Sequence, residues 1–159
     1  MMKPNIGISD ENREGVTKIL NDLLADEYLL YTKLRKFHWN VRGPEFNTLH
    51  QLFEDQYTEV EVIVDDVAER VGTVGGVALG TLEEFKEHSR LKEAPGKNPK
   101  AMEMVQEVVS DQEQIIKRIR NDAKVTAEQF SDLGTESFLS ELLEQHEKMS
   151  WMLRSHLED

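Results

Sequence analysis

The segment "FNTLHQLFEDQYTEVEVIVDDVAERVG", residues 46 to 72, constrains the fold more than any other part of the chain. Phe46, Leu49, Phe53, Tyr57, Val60, Val64, Val67 and Val71 recur at three- and four-residue spacing, which sets them on one face of an α-helix. With Pro44 in its first turn, the pattern predicts a helix from Pro44 to Gly72, about 42 Å long at ~1.5 Å per residue. A rod of that length cannot fold onto itself, so other long elements must cover its apolar face.

Three further segments supply the cover. A first helix opens at Ser9 or Asp10 and carries Val16, Ile19, Leu20, Leu23, Leu30, Leu34 and Phe37, stopping before Gly43-Pro44. A third takes Asn98 as its cap and Pro99 as its first residue, carries Met102, Val105, Val108, Val109, Ile115, Ile116 and Ile119, and fades around Lys124. A last follows Gly134-Thr135 with Leu139, Leu142, Leu143, Met149, Leu153 and Leu157. No strand-length alternation competes with these patterns. Between the second and third helices, "TVGGVALGTLEEFKEHSRLKEAPGK" is broken by Gly and Pro, and Thr81-Leu82-Glu83-Glu84 reads as a capping box opening a helix of two turns. A connector this long can return the chain along the whole second helix, so the second and third helices can run parallel. The expected fold is all-α, a single domain over residues 1–159. It is a ferritin-like four-helix bundle whose long crossover carries a short helix.

Composition narrows the chemistry. There is no cysteine, which excludes disulfides, thiolate metal sites and cysteine nucleophiles, so a metal site here must use His, Asp and Glu. The 31 acids against 19 bases give a net charge of -12, which repels nucleic acid and anionic lipid and attracts cations. No run of about 18 apolar residues and no charged-then-apolar leader is present, and a soluble, cytoplasmic protein is expected.

On a helical wheel at about 100° per residue, the apolar set of the second helix lies at about -20° to -100° from His50, whereas His50, Glu54, Glu61, Asp65 and Glu69 lie between about 0° and +100°. A solvated acidic face is the commoner meaning of such a stripe. Glu61, Asp65 and Glu69, however, stack at i, i+4 spacing with no Lys or Arg among them, an arrangement that is self-repulsive in an isolated helix. The stripe also borders the turn in "KFHWNVRGPEFNTLH", where His38 and His50 flank Gly43-Pro44. His50 and Asp65 are about 22 Å apart along one helix, while ligands of one ion stand within about 2.5 Å of it. One chain therefore cannot bring them together. The pairs His50/Glu69 and Glu54/Asp65 share a midpoint between Glu59 and Val60, so an antiparallel copy of this helix about a two-fold axis would bring each pair together.

"FHWNVRGPEFNTLH", followed by "LFEDQYTEVEVIVDDVAERV", resembles the signature of the Dps family, the ferritin-like mini-ferritins of starved or oxidatively stressed bacteria. "GGVALGTLEEF" and "LLEQHEKMSWMLRSHL" are similar to the same family. The resemblance implies a ferroxidase site between two-fold-related subunits, with His38 and His50 from one and Asp65 and Glu69 from the other, assisted by Glu54. It also implies oxidation of Fe(II), typically by hydrogen peroxide in preference to oxygen, and storage of ferric mineral in a hollow dodecamer. Imidazole with carboxylates suits ferrous iron, and leaves zinc and manganese open. Pore acids are expected among Asp122, Asp132 and Glu136, although Ser137 stands where many members carry an acid.

Other residues carry plainer expectations. Trp39 and Trp151 are expected as core or interface aromatics. His146, beside Leu139, Leu142 and Leu153, is expected as a satisfied buried or interface histidine, and His88 and His156 as surface residues. No Glu precedes any histidine by three positions, so an intrasubunit site of the Glu-x-x-His type is not expected. DNA binding in the family commonly depends on a Lys-rich tail. Residues 1 to 18 balance Lys3, Arg13 and Lys18 against Asp10, Glu11 and Glu14, and no DNA binding is expected.

Overall fold

The computed structural model describes residues 3–158. They form helices α1 (Asp10–Asn40), α2 (Phe46–Thr73), α3 (Leu82–His88), α4 (Ala101–Glu128) and α5 (Leu133–Arg154), with no strand among the described residues. α1 packs along α2 and α4 along α5 as two hairpins, and α1 also contacts α3 and α4. The directions follow from cross-helix contacts. Asp26 and Lys33 of α1 meet Arg118 and Asp111 of α4 in reversed order, so α4 is antiparallel to α1. Tyr31 and His38 meet Glu61 and His50 in reversed order too, so α2 is also antiparallel to α1 and therefore parallel to α4. This is the four-helix bundle with one long crossover.

The expected helix ends need small corrections, each with a local cause. Ser9 caps α1, its hydroxyl accepting the Asn12 amide at 3.2 Å. α2 starts at Phe46 because the Phe46 N–H closes a turn on Gly43 O at 3.1 Å, leaving Pro44 and Glu45 in that turn. Gly43, at φ 119°, supplies the left-handed conformation that turn requires. α4 begins at Ala101, not Pro99. Lys100 is extended at ψ 161° and serves as cap position, its N–H donating to the Glu103 carboxylate at 2.8 Å. At its other end α4 runs past Lys124 to Glu128. α5 begins at Leu133, before Gly134-Thr135, because Asp132 accepts the Thr135 amide at 2.9 Å, and it ends at Arg154, short of Leu157. The capping box at Thr81 and Glu84 is present as expected.

The core is a continuous layer of Leu, Ile, Val and Phe drawn from all four long helices, including Leu20, Leu34, Val60, Ile63, Ile115 and Leu139, each at most 1 % exposed. The crossover is laid along α1 by polar side chains. Arg13 donates to Val74 O, Asn21 bridges Val77 O and Leu79 N, Lys33 donates to Lys92 O, and Lys36 donates to Lys97 O. At the centre of this seam Asp26, fully buried, accepts from Ser89 Oγ, from the Arg90 amide and guanidinium, and from Arg118 at 3.1 Å. A buried carboxylate survives only with such saturation.

Candidate metal centre

The α1–α2 turn sets two imidazoles face to face. His38, two residues before the end of α1, is 8 % exposed, and His50 lies in the second turn of α2. Their rings stack with centroids 3.8 Å apart at 22°. His38 Nδ1 lies 2.8 Å from His50 O, and His50 Nδ1 lies 2.9 Å from His38 O. A carbonyl can only accept, so each ring carries a proton on Nδ1 and leaves Nε2 as the nitrogen through which a neutral ring can ligate. A metal-binding histidine needs this tautomer, with the other nitrogen fixed by an outer partner. Phe46 stacks on His50 at 5.0 Å and Tyr57 stands edge-on to His38 at 5.3 Å, so apolar walls hold both rings.

Glu54, one turn beyond His50, completes a compact group. Ligand atoms of His38, His50 and Glu54 lie within 4.8 Å of one another. Among the described residues no other three His, Asp or Glu side chains gather as closely. Glu54 is half-buried and makes no hydrogen bond to a described residue, so its carboxylate is free to take a cation. Two imidazoles and one carboxylate leave coordination positions open, as a catalytic site requires.

Asp65 and Glu69 are not part of this group. Both are exposed farther along α2, on the same continuous helix as His50, and the rise per residue of ~1.5 Å keeps them roughly 20 Å or more away. Asp65 lines a surface groove with Tyr28, Tyr31, Glu61, Val62 and Ala68. Val62, which also lines the groove, is an apolar side chain open to solvent at 58 %.

A charged aromatic cluster next to the histidines was not anticipated from the sequence. The Arg35 guanidinium lies 5.0 Å from the Trp39 ring, 5.4 Å from Tyr31 and 5.5 Å from Tyr57, within cation–π range of all three. It also donates to Tyr31 Oη at 2.7 Å, and Tyr31 donates in turn to Glu61 at 3.1 Å. Burial and the neighbouring Glu61 raise the Tyr31 hydroxyl above its ordinary pKa, which keeps it a donor. The spacing of Tyr31, Arg35 and Trp39 at i, i+4, i+8 was the available signal. Trp39 and Trp151 are 59 % and 60 % exposed, which places neither in the core of this chain.

Two further expectations change. Asp132, at 3 % exposure, caps α5 and pairs with Arg70 at 3.3 Å, so it serves as a helix anchor and is not free to line a pore. Asp122 and Glu136 are half-buried, and burial raises the Asp122 carboxyl. His146 is fully buried, but only its Nδ1 is hydrogen-bonded.

Residues 17–159 match the ferritin-like domain family, and the bundle defines the chain as a ferritin-like protein. It is 40 % identical over 143 residues to the DNA protection during starvation protein of Brevibacillus brevis, covering 90 % of this chain and 95 % of that one. DpsC from Streptomyces coelicolor superposes with a TM-score of 0.94 at 31 % identity, over 100 % of this chain and 92 % of that one. The Dps protein from Vibrio cholerae O1, described as a member of a broad superfamily of ferritin-like diiron-carboxylate proteins, gives 0.91 at 27 % identity over 99 % of both chains. The chain belongs to the Dps family of mini-ferritins.

Proposed function

We propose that this protein stores iron and protects against oxidative damage. It would do so as a ferroxidase whose site is completed by a second copy of the chain. The observation that carries the reading is the pair of reciprocally bonded histidines, which offer two Nε2 atoms beside Glu54 with the remaining coordination positions open. A two-fold axis near Glu59 and Val60 would bring Asp65 and Glu69 of one subunit to His38, His50 and Glu54 of the other. The exposed Val62 side chain, in the same groove as Asp65, would be covered by the same contact.

In that pocket Fe(II) is the substrate. The imidazoles hold it at borderline-soft nitrogen, and the carboxylates favour the harder Fe(III), so the ligand set stabilises the oxidised product more than the reactant. Hydrogen peroxide is the proposed preferred oxidant, with oxygen as the alternative. Each peroxide takes one electron from each of two Fe(II) ions and, with two protons, its O–O bond breaks to give two waters; hydroxyl radical is avoided when both electrons reach the same peroxide before it leaves the site. Ferric product would collect as mineral inside a dodecamer built from two-fold dimers, in the cytoplasm. The acidic surface, at a net charge of -12, attracts Fe(II) towards it.

The test is complementation. Cages of His50→Ala alone and of Asp65→Ala alone should each oxidise Fe(II) poorly with peroxide. Cages reassembled from both variants should regain part of the activity, because one of the two sites of each mixed dimer then has an intact His50 opposite an intact Asp65. Properly mixed cages that stay as inactive as their parents would show that the site is not shared between subunits.

A further inference from the structure

A second group of polar side chains lies buried in the bundle with no part in the site described above. Each long helix contributes one residue near its middle: Glu27 from α1, Gln56 from α2, Gln112 from α4 and His146 from α5. Their exposures are 0, 3, 0 and 0 %. His146 Nδ1 lies 2.6 Å from Gln112 Oε1, while the Gln112 amide nitrogen faces the Met149 sulfur at 3.9 Å, the orientation that leaves the oxygen as acceptor. His146 therefore carries a proton on Nδ1 and turns its Nε2 towards Glu27. Glu27 Oε1 is 2.8 Å from that nitrogen, yet the two atoms are not aligned for a hydrogen bond. Neither Glu27 oxygen, nor His146 Nε2, nor Gln56 Oε1 has a hydrogen-bond partner among the described residues.

A carboxylate oxygen and a ring nitrogen held this close in an apolar interior need a positive charge against both. A shared proton would have to lie near the line between nitrogen and oxygen, along the ring's lone pair. A metal ion has no such requirement, since two of its ligands stand side by side around it. The fixed Nδ1 proton, donated to an amide carbonyl, is the outer partner that metal-bound imidazoles use. Gln56 donates its Nε2 to the carbonyl of Met149, one turn beyond His146 on α5, at 2.9 Å and keeps its own oxygen unpaired. We infer that Glu27 and His146 bind a divalent transition-metal cation inside each subunit. The ion would tie α1 to α5 through the core, and it shares no residue with the proposed ferroxidase site.

Cobalt(II) is the probe, and a His38→Ala/His50→Ala/Asp65→Ala background removes the other site. After incubation, both as purified cage and through unfolding and refolding, this protein should retain about one cobalt per chain on desalting. It should show visible d–d absorption and melt at higher temperature than in chelator, because an ion bound only to the folded state stabilises it. Adding Glu27→Gln or His146→Gln should abolish the retained cobalt and the absorption. Cobalt content unchanged by these substitutions would overturn the proposal. If the added substitutions prevent folding, the parent background decides alone. A melting temperature unmoved by cobalt, the result expected if Glu27 and His146 share only a proton, would overturn it. Because the ferroxidase residues are already removed, failure here leaves the shared site untouched.

Discussion

At the scale of single residues, His38 and His50 each donate the Nδ1 proton to the other's backbone carbonyl, which makes the pair a preorganised metal donor. Glu54 differs from them because its carboxylate has no protein partner to lose. Glu54→Gln should therefore leave the melting temperature within about 1 °C of wild type, since exposed or unpaired positions usually change stability little. Fe(II) affinity, measured by anaerobic titration, should fall by roughly tenfold, the lower end of what losing a site-tuning group costs. Unchanged affinity would remove Glu54 from the site. The two histidines were legible in the sequence because they flank a Gly-Pro turn. The Arg35 cluster was not, since only the packing of α2 on α1 brings Tyr57 to a guanidinium that helical spacing already sets beside Tyr31 and Trp39.

At the scale of elements, helix number, order and face were readable, because apolar periodicity is a local property of the chain. The ends moved by a few residues wherever a cap chemistry outweighed a proline or glycine signal, as at Lys100 and Asp132. The crossover is where sequence reading stopped short. Asp26 and Glu27 are adjacent acids on α1, and only the crossover and α5 packed over α1 put both at 0 % exposure. Asp26 holds the crossover through Arg90 and ties it to Arg118 of α4, so Asp26→Ala should leave two guanidiniums without their shared carboxylate. The expected cost is about 3 kcal/mol, typical for removing one partner of a buried ion pair. In a chain of this length that is a fall of roughly 6–12 °C in melting temperature. A fall under 2 °C by scanning calorimetry would mean the crossover is held by its other contacts to α1.

At the scale of the whole molecule, charge sets what the assembled protein attracts. With a net charge of -12 the surface favours cations over phosphate backbones. Basic residues near the start of the described chain are already paired internally, Lys3 and Arg13 with Asp10 and Lys18 with Asp22. The purified protein should therefore leave duplex DNA unretarded in a gel shift even at low salt, and a salt-sensitive retarded band would contradict this. No described helix is long and apolar enough to cross a membrane.

The sequence by itself determined four amphipathic helices, a crossover long enough to make α2 and α4 parallel, and a histidine pair placed where two helices meet at one turn. These follow from residue spacing, which acts over a few ångströms along the chain. Tertiary structure alone decided which polar groups lose water. Asp26 became a saturated staple, Asp132 a helix cap, Glu27 and His146 a buried pair facing one another, while Asp65 and Glu69 stayed in solvent. Periodicity assigns a residue to a face of its helix; whether another element covers that face depends on packing between segments distant in sequence.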